Sequence, residues 1–87
     1  MRLDKFLKVS RLVKRRTVAD ELCGAGRVRL NGRPAKSAAR VKPGDTIELD
    51  LGMKRIKVEV LVLAEAVSAE RAGELYRVLE EGPVPLE

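Results

Sequence analysis

The apolar residues of this chain change their period once, and the change falls at a pair of glycines. Before Gly24 and Gly26 the spacing is helical: Leu3, Phe6 and Leu7 stand at i, i+3 and i+4, and Val18, Leu22 and Ala25 at i, i+4 and i+7. After them the pattern alternates, through Val28 and Leu30, then Ile47, Leu49 and Leu51, then Ile56, Val58, Val60 and Val62. A helical period buries a stripe and a period of two buries one face of a sheet, so the outline is helix, helix, then three or more strands, an α+β class. With 87 residues there is room for one hydrophobic core and not for two.

The punctuation refines that outline. The first helix begins at Arg2 and loses phase at Leu12 and Val13, so it ends near Ser10 to Val13, with Ser10 on its apolar side. A basic connection, Lys14-Arg15-Arg16, leads to Thr17, which has an N-cap oxygen to offer. Asp20 and Glu21 would then lie in the first turn of a second short helix from about Val18 to Cys23, which Gly24 and Gly26 end. Asn31-Gly32 marks a tight hairpin turn, Lys42-Pro43-Gly44-Asp45 a second turn, and Gly52-Met53 a break between two strands. Ser68 can cap a C-terminal helix carrying Ala72, Leu75, Tyr76 and Leu79, stopped by Gly82 and Pro83. The expected core is Leu3, Phe6, Leu7, Val18, Leu22, Val28, Leu30, Ile47, Leu49, Val58 and Val60.

Charge is divided unevenly along the chain. Residues 1–43 carry 13 Lys and Arg against 3 Asp and Glu, whereas residues 44–87 carry 5 against 10, so a half with net +10 precedes one with net −5. A half this cationic raises the local potential and attracts a polyanion by releasing its counterions, which makes nucleic acid the first candidate partner. The outer face of the first helix presents Arg2, Lys5 and Lys8, and Arg11, Lys14, Arg15 and Arg16 continue the row into the connection. Arginine gives forked contacts to phosphate and lysine a point charge, a mixture suited to a folded backbone more than to base edges. The start of the second helix, at Thr17, could add backbone N–H groups. Arg27, Arg29, Arg33, Lys36 and Arg40 extend the basic surface around the hairpin, while Lys54, Arg55 and Lys57, flanked by Glu59, read as a solvated face.

The inventory argues against an enzyme. Histidine is absent, Cys23 is the only thiol, and no nucleophile–base pair or metal-ligand spacing is present, so catalytic and metal residues and cofactors are expected to be none. Asp4, Asp20 and Glu21 are accounted for by helix N-termini, and Cys23 by packing among small apolar neighbours. Phe6 and Tyr76, the only aromatics, exclude recognition by a row of stacked bases. No stretch approaches the roughly 20 apolar residues of a membrane span. Nor does Met1 to Arg16 hold the apolar centre of a secretory signal, and the single cysteine suits a reducing cytoplasm. A DNA-binding helix-turn-helix is the competing class, but Val18 to Cys23 offers base edges nothing beyond acids. The amphipathic segment Arg2 to Leu7 is too short for a membrane-surface or protein-docking helix, and its apolar face is needed for the core.

Taken in order, Arg2-Leu3-Asp4-Lys5-Phe6-Leu7, Ser10-Arg11, Arg15-Arg16-Thr17, Gly26-Arg27-Val28-Arg29-Leu30-Asn31-Gly32, Lys36-Ser37 and Val41-Lys42-Pro43-Gly44-Asp45-Thr46-Ile47 resemble the S4-type RNA-binding domain. The likeness covers about residues 1–63, leaving 64–87 as a helical extension packed on or beside the same domain. It implies two packed helices on a small, curved antiparallel sheet, with Arg2, Arg15 and Arg16 at the family's RNA-contacting end; together with the charge pattern, the expected RNA contacts are Arg2, Lys5, Lys8, Arg11, Lys14, Arg15, Arg16, Thr17, Arg27 and Lys36. Because little lies outside the domain, the chain is similar to the stand-alone branch of that family, which works on the large ribosomal subunit. That implies binding to ribosomal RNA and to a peptidyl-site tRNA on obstructed subunits, beside a partner protein that tails the stalled nascent chain, with this chain a monomer when free. The alternative within the branch is a heat-shock-type factor that recycles free large subunits bearing nascent chains; such relatives carry a long basic tail where this chain is acidic.

Overall fold

The computed structural model describes residues 1–83. Helix α1 spans Leu3–Val9 and α2 Arg16–Gly24; β1 (Val28–Leu30), β2 (Arg33–Pro34), β3 (Thr46–Asp50) and β4 (Lys54–Val60) follow, then a 3-10 turn at Ala72–Leu75 and β5 (Tyr76–Pro83). The strands make one antiparallel sheet in the order β2-β1-β3-β4-β5. Leu3, Phe6 and Leu7 are fully buried against Val28, Ile47, Leu49, Val58 and Val60 from the sheet's inner face, as the two periods require. Ser10 closes α1 on the buried side, its hydroxyl donating to the Leu7 carbonyl at 3.2 Å.

What stops α1 is the backbone of Arg11. Its φ of 61° is left-handed, a conformation that costs a side chain other than Gly or Asn about 1 kcal/mol, and its N–H donates to the Lys8 carbonyl. The hairpin is as read: Asn31 and Gly32 both have positive φ, 52° and 84°, joining β1 to β2. Asn31 also holds the neighbouring turn, donating to buried Asp45 at 3.1 Å and accepting from the Thr46 N–H at 2.9 Å.

Three expectations need correction. Helix α2 begins earlier than Val18, with Arg15 as N-cap, so Thr17 lies inside it and caps nothing, and Asp20 and Glu21 are not in its first turn. Asp20 instead accepts a hydrogen bond from the Ser37 hydroxyl. The buried side of α2 is Ala19 and Cys23, while Val18 is 39% exposed and Leu22 only partly covered. Small side chains let α2 approach the core closely, and the larger apolar ones one position earlier are turned to its margin. There Val18 and Leu22 line a shallow groove with Leu12 and Leu51.

The third correction concerns the C-terminal helix. Ser68 to Glu81 forms only the single 3-10 turn, and the run from Tyr76 becomes an edge strand pairing with β4 from Tyr76 opposite Val60 to Pro83 opposite Lys54. The open edge of β4 offers a full ladder of backbone hydrogen bonds, which outweighs a marginal helix weakened by Gly73. Leu79 absorbs the mismatch, since Lys57 pairs with Glu80 and Val58 with Val78, leaving it as a bulge. The expected 64–87 extension therefore enters the same sheet; its last four residues lie outside the described ones.

Candidate nucleic-acid interface

The two helices meet at one carboxylate. Asp4 in the first turn of α1 is only 4% exposed and is held from two sides. Arg2 donates its Nε–H to one oxygen at 3.2 Å and an Nη2–H to the other at 3.4 Å; Arg16, at the start of α2, makes the same pair of contacts at 3.2 and 3.4 Å with the oxygens exchanged. The Lys5 backbone N–H adds a third donor at 2.8 Å. Burial works to raise the Asp4 pKa, but the hydrogen bonds from Arg16, Arg2 and the Lys5 N–H outweigh it and hold the carboxyl below the usual aspartate range. Asp4 is thus ionised through the neutral range. Its contribution to stability is present above the unfolded-state pKa and is lost only as pH falls through the lowered folded value.

Around this joint the other cations lie on α1 and on the connection between the two helices. Lys8 and Arg11 border a hollow with Glu65 and Val67, and Lys14 and Arg15 line one end of the apolar groove; all four are exposed. None of the four takes part in an ion pair among the described residues. Lys5 differs, because its ammonium is paired with Glu65, whose carboxyl it holds below the usual range. Among the described residues no side chain caps α2, so the first-turn N–H groups beside Arg15 and Arg16 have no side-chain acceptor there, with Thr17 exposed among them. At α1 the equivalent groups are taken: the Leu3 N–H donates to the Ala39 carbonyl at 2.8 Å and the Asp4 N–H to that of Ser37 at 3.2 Å.

Those bonds bring the loop carrying exposed Lys36 against the start of α1, and an isolated bridge sets Arg40 beside Arg2. Arg27 is elsewhere. It borders a hollow on the outer side of the sheet with Arg29, Arg55, Glu48 and Asp50, so it does not join the helical cations. On that face Arg29, Glu48, Lys57 and Glu80 stand opposite one another across four strands, alternating in sign. Burial pushes the Cys23 thiol up, against a hydrogen bond with Ser37, in keeping with a packing residue.

Asp4 is the residue that sequence reasoning missed, and Arg40, read only as part of the basic surface around the hairpin, is the one whose place beside Arg2 it did not give. For Asp4 the signal was present in the Arg-x-Asp spacing and the following Arg15-Arg16, but a helix N-terminus explained the acid at lower cost. For Arg40 no local signal exists, because its neighbour lies 38 positions away in sequence.

Comparison with known proteins gives a consistent result. The S4 domain model matches residues 1–47. A protein of Halalkalibacterium halodurans named RQC P-site tRNA stabilizing factor is 50% identical over 84 residues, covering 97% of this chain and 96% of that one. The Bacillus subtilis protein of the same name is 48% identical, covering 93% and 94%. Among solved structures, the trimeric Vibrio cholerae Heat Shock Protein 15 superposes with a TM-score of 0.84 at 32% identity, over 90% of this chain and 80% of that one.

Proposed function

The chain belongs to the S4 domain family and to the group of the RQC P-site tRNA stabilizing factors, and from that premise we propose that it is an RNA-binding factor of ribosome-associated quality control. It binds the RNA of the large ribosomal subunit and a peptidyl-site tRNA on obstructed subunits, and supports the partner protein that tails the stalled chain. It acts in the cytoplasm as a binding factor without catalysis of its own. The observation that carries the reading is the helical face itself: Arg2 and Arg16 drawn together at the joint of α1 and α2, with Lys8, Arg11, Lys14 and Arg15 alongside, in no ion pair among the described residues. Lys5, Thr17 and Lys36 lie on its border, residues 1–63 carry the binding unit, and Arg27 contributes only long-range potential. Structured RNA suits this face, because guanidinium and ammonium groups read phosphate and the chain offers no stacking surface.

The test is co-sedimentation with purified large subunits, small subunits, duplex DNA and anionic vesicles. Retention on large subunits with a log K against log salt slope near −3.5 to −4.5, as expected for about five neutralised phosphates, supports the proposal. A flat salt response, or equal retention on DNA, would sink it. The heat-shock-type alternative has the structural likeness in its favour, and subunits with and without a peptidyl-site tRNA separate the two: the proposed factor prefers those that carry it. Sedimentation equilibrium of the free protein distinguishes the expected monomer from a trimer.

A further inference from the structure

We propose that Asp4 is a positioning residue for RNA binding, a buried carboxylate that holds Arg2 and Arg16 side by side as a preformed two-guanidinium receptor for one RNA backbone phosphate. The inference rests on the RNA-binding reading above. A buried carboxylate needs a partner, and one arginine would neutralise it. Here two arginines at the starts of different helices, fourteen positions apart, bind the same group, so the cluster keeps a net charge of +1. Each guanidinium has five N–H donors and directs two at Asp4, which leaves three on each without a protein acceptor among the described residues. The side chains of Arg2 and Arg16 are 46% and 49% exposed, while the carboxylate they share is buried.

The arrangement answers the difficulty any two-arginine site faces. Two guanidiniums repel each other and move freely in solution, so bringing them onto one phosphate costs both charge repulsion and side-chain order. A carboxylate between them offsets the repulsion before RNA arrives and fixes both planes through paired Nε and Nη2 contacts, leaving the ligand less ordering to do. The residue is an acid on a surface that attracts a polyanion, and this makes its role separable from net charge.

Asp4→Asn raises the formal charge from +5 to +6 and keeps a carbonyl oxygen for the Lys5 N–H. If charge alone governs binding, the variant holds large subunits and tRNA more tightly. The clamp predicts the opposite, about tenfold weaker binding, the loss expected when charge-assisted contacts lose their geometry. Glu21→Gln, an exposed acid on α2, raises the charge equally and should leave binding unchanged or tighter. In an Arg2→Ala/Arg16→Ala background Asp4→Asn should add no further loss, which a purely structural role would not predict. Circular dichroism and thermal melts establish that each variant is folded. Should Asp4→Asn fail to fold, Arg2→Lys/Arg16→Lys keeps the charge and Asp4 but removes the forks, and an equal weakening is expected. Binding by Asp4→Asn as tight as the parent, or no loss in the Lys pair, overturns the clamp while leaving RNA binding standing. An unmodified chain that retains neither large subunits nor tRNA overturns the RNA reading and the clamp with it.

Discussion

Two faces of the molecule carry rows of arginine and lysine, and they differ in what stands opposite each cation. On the outer side of the sheet, Lys57 lies 3.7 Å from Glu48 and Arg77 pairs with Glu59, each cation opposite its acid across neighbouring strands. Strand register enforces this, since residues opposite one another across antiparallel strands are neighbours whatever their separation in sequence. On the helical side Arg2 and Arg16 share a single acid, and Lys8, Arg11, Lys14 and Arg15 have none among the described residues. The same residue types therefore make a neutralised surface in one place and a face with an excess of positive charge in the other. Counting cations along the chain does not separate the two; counting acids within reach of them does.

The comparison breaks outright if the helical face is not held by the core. Phe6 is fully buried beneath it, and Phe6→Ala should cost about 3 to 5 kcal/mol in chemical denaturation, taking both faces down together. Full retention of stability would mean that α1 is phased differently. A sharper contrast comes from single arginines. Arg2→Ala and Arg16→Ala should each weaken large-subunit association by about tenfold or more, the worth of contacts to a charged group, at little change in circular dichroism. Arg77→Ala, removing an exposed and already paired cation, should leave it nearly unchanged, and equal losses at Arg16 and Arg77 would show that net charge and not a defined site carries binding.

Arg11 permits a test in which stability and binding move in opposite directions. Glycine relieves the left-handed backbone, so Arg11→Gly should raise stability by up to about 1 kcal/mol in thermal denaturation while weakening RNA association. A variant that is both more stable and an equal binder would remove Arg11 from the face. The smallest effect is expected at Glu65, which occupies Lys5: Glu65→Gln should free that ammonium and tighten RNA binding slightly, most visibly at low salt, with no measurable change in melting. Weaker binding would show that Glu65 orients Lys5 instead of competing for it.

Much of this protein was legible in its residues. The phase of α1, the hairpin at Asn31-Gly32 and the inward sets of β1, β3 and β4 follow from local rules, because a period and a turn need only neighbouring residues to specify them. The excess of cations in the first half is likewise a property of the chain. Where reading failed, the deciding partner was distant. Val18 and Leu22 outweigh Ala19 and Cys23 in hydrophobicity, but close packing of α2 selects the smaller pair. Leu75, Tyr76 and Leu79 fit a helix by spacing, yet the free edge of β4 makes Tyr76–Pro83 a strand. Sequence alone thus determined which segments are helix or sheet wherever local preference was strong, and that the surface would be basic. Tertiary structure decided the ambiguous segment, separated Arg27 from the helical cations and set two arginines on Asp4, because hydrogen-bond ladders and ion pairs depend on distances in space that spacing along the chain does not encode.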